Sequence, residues 1–201
     1  MLLNIKNIRK NANKSLYTDI NGLEKKWTFP YIFVKILLPL ISVFIVFLNQ
    51  KKLMEDPKVI VMLLSLFSGL MFGVLIKIPD KFKDLEPKLH ETDSEEIKRK
   101  QIKNYLKLFM YSLSYSILVA LYSIFFVILN SFFPKLIELN LLFYIKVDSI
   151  EQIHLQSTLI ACTVVLYRIL LVNYLLNFLF FIFKAVTNLY EFMLYEFSKI
   201  K

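Results

Sequence analysis

Four long apolar runs constrain the fold of this 201-residue chain more than any other feature. They cover residues 28–48, 59–76, 105–133 and 157–183. A helix needs about 20 largely apolar residues to cross roughly 30 Å of hydrocarbon, and there it satisfies its own backbone hydrogen bonds. With 57% hydrophobic residues, the chain is predicted to be an all-α membrane protein. The expected fold is a four-transmembrane-helix bundle with cytoplasmic helical extensions.

The distribution of Lys and Arg predicts the orientation. Of 25 such residues, 18 fall in the N-terminal segment, the loop between the second and third runs, and the C-terminal stretch, whereas five fall in the other two loops. The positive-inside rule therefore places both termini in the cytoplasm, with the chain in the inner membrane. The predicted division is a cytoplasmic segment 1–27, a transmembrane domain 28–186 that includes a cytoplasmic loop 77–104, and a cytoplasmic tail 187–201.

The N-terminal segment has two interpretations. Leu2, Ile5 and Ile8 recur at three-residue spacing among basic residues, which is typical of a short interfacial helix on anionic lipid. The alternative is a polar leader whose only role is to satisfy the charge rule.

The cytoplasmic loop predicts a helical stalk. Pro79 is expected to end the second span. Thr92 with Glu95, or Asp93 with Glu96, has the spacing of a capping box that starts a new helix near Asp93. No further helix breaker precedes Pro134, so the third helix should be about 55 Å long and should project inward as a charged stalk. A cytoplasmic partner is predicted to bind its charged residues, some of which are spaced as i,i+4 ion pairs: Glu95, Glu96, Lys98, Arg99, Lys100 and Lys103.

Two further water-facing pieces carry apolar residues. The external loop is apolar around residues 136–145 and is expected to form an interfacial or packed helix. The tail continues the fourth helix, and its aromatic residues are expected either to pack against a partner or a neighbouring subunit or to lie in the headgroup layer. These residues are Tyr190, Phe192, Tyr195 and Phe197.

Small residues at four-residue spacing mark two helix faces, because such residues let membrane helices approach closely. One face lies on the second span and the other on the third, and they are expected to pack on each other or against a second subunit. The residues are Ser65, Gly69 and Gly73 on the second span and Ser112, Ser116 and Ala120 on the third.

Polar residues inside the spans predict assembly. Lys35 can snorkel to the nearby interface, but Arg168 is expected near the bilayer centre, where a charge costs roughly 2.5–3.5 kcal/mol and the spans offer no acid. Arg168 is therefore expected to face backbone carbonyls, hydroxyls or amides, a wet cavity, or a headgroup reached by bilayer deformation. Asn173, Asn177, Lys184 and Asn188 share one face, about 140° from Arg168 at 100° per residue. Two polar faces on one helix favour a homo-oligomer, and the alternative is amide hydrogen bonding within one bundle.

Catalytic and metal-binding patterns are missing from the sequence. Cys162 is the single cysteine, and His90 and His154 fall on opposite sides of the predicted membrane, so no metal site or cofactor is expected. Enzyme activity and conventional secondary transport, which uses repeats and intramembrane acids, are not expected either. Three functions remain: a sensor or scaffold for a cytoplasmic partner, a pore-forming or membrane-disrupting effector, and an accessory subunit of a membrane transport complex.

The overall organisation resembles that of KwaA, the membrane component of the Kiwa anti-phage defence system. The resemblance lies in chain length, four spans with internal termini, a composition rich in Lys, Asn, Ile and Phe, and a basic cytoplasmic face. It implies a homo-oligomeric membrane sensor that recruits a nucleic-acid-binding protein on the cytoplasmic side. Direct nucleic-acid binding by this chain is not expected, and no site residue is carried over from the resemblance.

Overall fold

The computed structural model of the protein describes residues 2–19, 21–25, 27–83, 85, 92–140 and 155–198. Within these ranges the regular structure is entirely helical. The apolar core of the external loop, for which a helix was predicted, lies mostly outside the described residues, as do both histidines. The helices are α1 (Leu2–Tyr17), α2 (Phe29–Leu48), α3 (Pro57–Lys83), α4 (Asp93–Phe132), α5 (Lys135–Glu138) and α6 (Leu155–Ser198).

Four of these helices, α2, α3, α4 and α6, are long and apolar enough to cross a membrane, which confirms the predicted all-helical fold with four candidate spans. Only 17% of the most apolar window of α3, and 39% of that of α4, is buried within the chain. Large apolar side chains such as Phe44, Leu66 and Phe125 point outward. A surface of this kind is stable only in apolar surroundings.

Prolines affect the helix geometry of two spans, α2 and α3, and in α3 the effect differs from the prediction. In α2, the wide π-helical turn Phe33–Leu37 ends two residues before Pro39, whose ring would clash with the preceding turn of a regular α-helix. Pro79 was expected to end the second span, but α3 continues past it to Lys83. Only one more turn follows Pro79, so the proline removes a single hydrogen bond near the helix end.

The long helix α4 begins where the sequence predicts. The Thr92 backbone N–H donates to the Glu95 carboxylate at 2.9 Å, and both halves of the capping box are present. The helix has 40 residues, about 60 Å at 1.5 Å per residue, and it ends at Phe132, two residues before Pro134.

The bundle is built around the antiparallel pair α4 and α6. Tyr167 of α6 donates to the Phe126 carbonyl near one end of the pair, and Phe192 packs on Ile102 near the other. Helix α3 packs on α4, and α2 packs on α6. We call the end that carries residues 49–56 and 133–140 the loop end. The opposite end, where α4 begins and α6 finishes, is the terminal end.

Of the two arrangements expected for the small-residue faces, the one in which they pack on each other is wrong. Ser112, Ser116 and Ala120 are fully buried in the bundle, but Ser65, Gly69 and Gly73 face outward from α3. A Cβ atom added to either glycine would meet nothing within 4 Å. Helix α3 instead packs on α4 through larger residues at seven-residue spacing, which fill the groove and bury more apolar area. They are Leu64, Met71 and Ile78.

Candidate functional site

Arg168 lies fully buried near the loop end, where backbone carbonyls surround its guanidinium. Its Nε donates to the Leu136 carbonyl at 3.0 Å, and one terminal nitrogen donates to the Ile137 and Leu139 carbonyls at 2.6 and 2.5 Å. The other terminal nitrogen donates to the Gln50 carbonyl at 3.3 Å. The rigid fork of an Arg side chain suits several acceptors at once. Arg168 thus ties α6 to both segments that close the loop end.

This position differs from the expected one near the bilayer centre. The segments that contact Arg168 directly follow α2 and α4, which places the guanidinium close to the end of those helices. The chain itself therefore satisfies this charge, without a second subunit.

The second polar face of α6 contacts α1, a helix that the sequence left as either an interfacial element or a polar leader. Ala12 and Leu16 of α1 are buried against Val34, Leu38 and Phe181. The segment is therefore part of the helical bundle rather than a separate leader, and its packing lies between α2, α4 and α6.

The last turn of α1 is held by partners from three other segments. A helix leaves its last four carbonyls without intrahelical donors. Here the Lys184 ammonium donates to the Ser15 carbonyl, and the Thr28 hydroxyl donates to the Leu16 carbonyl at 2.6 Å. The Lys25 backbone N–H reaches the Tyr17 carbonyl at 2.8 Å, and the Thr18 N–H reaches the first of the four carbonyls. A cation at this end also matches the helix dipole.

A cleft of about 610 Å³ opens between α1, α2, α4 and α6. Asn177 donates to the carbonyl and side-chain oxygen of Asn173 at 2.8 and 3.1 Å, so one of the predicted assembly residues bonds within its own helix. Both asparagines line the cleft. They lie roughly 10 and 16 Å along α6 from Lys184, which places the cleft between the two ends of the bundle. Its other polar lining residues are Lys6, Arg9, Asn13, Lys35, Tyr115, Tyr122 and Tyr174.

The charge of the cleft has one sign. Lys6, Arg9 and Lys35 line it together with no Asp or Glu, and none of these three cations has an ion-pair partner among the described residues. All three side chains are exposed, so water or an anion can reach them from the cleft.

Helix α1 has a carboxylate partner only in its last turn among the described residues, and this turn lies outside the spans. The Lys14 ammonium lies 2.8 Å from a Glu24 carboxylate oxygen, and this hydrogen bond, with the charge attraction, raises the pKa of Lys14. The local acid is thus engaged at the terminal end and does not line the cleft.

The terminal end displays the predicted stalk. Ile102 is the first buried residue of α4, so the turns before it stand clear of the core. Glu95, Lys98, Lys100 and Lys103 are exposed, while Glu96 and Arg99 are half-buried. Glu96 forms an i,i+4 ion pair with Lys100 at 2.6 Å, as its spacing predicted.

The C-terminal part of α6 packs beside the base of the stalk. Phe192 packs on a small cluster of Leu85, Ile102 and Leu106, whereas Tyr190 is exposed. The side chains of Tyr195 and Phe197 lie outside the described residues.

The predicted site residues therefore separate into three places: Arg168 near the loop end, the two asparagines in the cleft, and the charged stalk at the terminal end. The contributions of α1 and Lys35 to the cleft were not predicted. A usable signal was present, because Ala12 and Leu16 continue the apolar face that begins at Ile5 and Ile8. Among the described residues, no three His, Cys, Asp or Glu side chains are placed to hold a metal ion.

Comparisons of the chain with protein-family models, with curated proteins and with solved structures found no match.

Proposed function

We propose that the protein is a non-enzymatic, homo-oligomeric membrane sensor or scaffold that engages a cytoplasmic protein at its terminal end. The observation that carries this proposal is the pair of helices at that end. The first turns of α4 stand clear of the core, and Phe192 of α6 packs on Ile102 and Leu106 just below them. A rigid base with an exposed, charged tip is well suited to hold a partner protein.

The resemblance to KwaA supplies the setting that we propose for this function. It favours bacterial anti-phage defence and a partner that itself binds nucleic acid. The stalk carries acids in its first turn, such as Asp93, and bases in the next turns, such as Lys98. A surface of mixed sign suits a protein with complementary charges better than the uniformly negative backbone of a nucleic acid.

Co-purification of the tagged chain with the product of its neighbouring gene tests the partner. We expect the double substitution Lys98→Glu and Lys103→Glu to reduce the recovered partner at least tenfold, because it reverses two exposed charges of the stalk. The matched control is Lys51→Glu with Lys52→Glu, an equal charge change at exposed positions of the loop end. Equal recovery with both variants, or no partner with the wild type, would contradict the scaffold.

The structure leaves fewer arguments for a homo-oligomer than the sequence alone suggested. Of the polar residues of α6 that favoured it, Arg168, Asn177 and Lys184 have hydrogen-bond partners within one chain. The buried Nδ2 of Asn188 has none among the described residues. What supports it now is the outward small-residue face of α3, which allows the close approach of a second helix.

Substitution of both glycines tests that interface. Gly69→Leu with Gly73→Leu meets no atom of its own chain and replaces poor helix formers, so the monomer should be at least as stable. We expect the oligomer, measured by light scattering in detergent, to dissociate to monomers. Cys162→Leu with Thr163→Leu enlarges two exposed positions of α6 and is the control. An unchanged mass for the glycine variant would rule out this face.

A pore or membrane-disrupting effector is the second candidate, and it would need the polar face of α6 around an axis. Asn177 bonds to Asn173 and Lys184 bonds to α1, so these groups are already engaged within the chain. This favours the scaffold over the pore.

A further inference from the structure

The cleft between α1, α2, α4 and α6 combines a positive charge with donors and an apolar wall. Its cations come from two helices that are far apart in the sequence: Lys6 and Arg9 from α1, and Lys35 from α2. Its volume of about 610 Å³ falls within the usual range of small-molecule sites, about 300–1,000 Å³.

The three cations repel one another, because they carry like charges on neighbouring helices. No lining residue is acidic, and no described acid pairs with these side chains. The acids nearest to them in sequence are occupied at the terminal end, where Glu24 pairs with Lys14 and Asp19 with Lys25. The cleft thus has the charge of an anion site.

The arrangement of donors favours a phosphate group over a simple halide. An Arg guanidinium binds two oxygens of a phosphate at once, and Lys adds a point charge. Asn13, Asn173 and the tyrosine hydroxyls of Tyr115 and Tyr122 line the same cleft as neutral donors. Several donors at different angles match the several oxygens of one phosphate.

The remaining wall is apolar. Val34, Pro39, Leu118 and Leu170 line the cleft beside the cations. A ligand that fills both parts is amphiphilic, with an anionic head and an apolar body. We propose that the cleft binds an anionic phosphate group, either the headgroup of an anionic phospholipid or a soluble phosphate compound, through Lys6, Arg9 and Lys35. The apolar wall favours the lipid.

Native mass spectrometry of the full-length protein in neutral detergent tests this binding. Phosphatidylglycerol, the zwitterionic phosphatidylcholine, and inorganic phosphate are the probes. We expect phosphatidylglycerol to bind at least tenfold more tightly than phosphatidylcholine. The triple variant with Lys6→Gln, Arg9→Gln and Lys35→Gln should lose that preference. If inorganic phosphate at low millimolar concentration displaces the lipid from the wild type only, the site takes soluble phosphate compounds.

The matched control removes the same number of charges elsewhere. Lys51→Gln, Lys52→Gln and Lys58→Gln lie at exposed positions of the loop end and should leave the lipid preference within twofold of the wild type. Equal losses in both triple variants would mean that the lipid responds only to net charge, and the proposal would fail.

A second measurement does not depend on the folding of a variant. A photoactivatable phosphatidylglycerol, crosslinked to the wild-type protein, should label peptides that contain residues 5–13 and 170–177. Labelling confined to the outward faces of α3 and α6 would overturn the cleft as the binding site.

Discussion

Arg168 is a fully buried cation whose partners are all backbone carbonyls. Carbonyls of a chain segment that leaves a helix have no regular donor, and in an apolar bundle each unpaired one is costly. The guanidinium therefore satisfies the carbonyls of Leu136 and Ile137, and these carbonyls in turn satisfy the guanidinium. A salt bridge is not needed for such a residue to be stable.

The substitution Arg168→Leu should destabilise the protein by about 3 kcal/mol or more, because it removes four hydrogen bonds between the guanidinium and buried or part-buried carbonyls. Arg168→Lys should be intermediate, since one ammonium cannot reach the same set of acceptors. Thermal unfolding in detergent, followed by circular dichroism, measures both. A wild-type melting temperature for Arg168→Leu would show that the charge is merely tolerated.

Helix α1 shows how an element with weak apolar character joins a membrane bundle. It buries Ala12 and Leu16, and its last four carbonyls receive donors from its own following turn, from α6 and from the chain before α2. The more polar face, with Lys6 and Arg9, is left to line the cleft. The last turn of α1 is thus fixed by hydrogen bonds, whereas its earlier turns line the cleft.

Lys184→Met tests the anchor. The substitution keeps an unbranched apolar stem but removes the donor to the Ser15 carbonyl, at a cost of about 1–3 kcal/mol. We expect faster amide hydrogen exchange over residues 4–17 and unchanged exchange in the buried centre of α4. Lys14→Met, which removes an exposed ion pair of the same helix, is the control and should change exchange far less. Equal acceleration in both variants would contradict the anchoring role.

The molecule as a whole is asymmetric in charge. The last turn of α1 with residues 18–19 and 21–25, the start of α4 and the end of α6 come together at the terminal end, as contacts between Gln101 and Asn21 and between Phe192 and Ile102 require. The loop end carries fewer cations. If the terminal end faces the cytoplasm, the protein obeys the positive-inside rule.

Labelling of single cysteines in whole cells tests the orientation. In a Cys162→Ser background, Lys52→Cys should react with a membrane-impermeant maleimide. Lys98→Cys should react only after the membrane is permeabilised. Both positions are exposed, so accessibility to reagent does not differ for steric reasons. The reverse pattern would show the opposite orientation.

Features set by local physics were predictable. Each span follows from the length of its apolar run, and the start of α4 follows from the reach of the Glu95 side chain back to Thr92, three residues away. The long continuation of α4 follows from the lack of a breaker before Pro134. None of these features depends on which helices become neighbours.

Features that depend on neighbours were decided by the tertiary structure. Helix α3 carries both a small-residue face with Gly69 and a large-residue face with Met71, and only packing against α4 selected the larger one. Arg168 had no visible partner in the sequence, because its acceptors are backbone carbonyls that every residue possesses. The sequence by itself determined four membrane-length helices and their charge asymmetry. The fold decided that α1 closes a cationic cleft, because that contact joins residues more than 160 positions apart, such as Ser15 and Lys184.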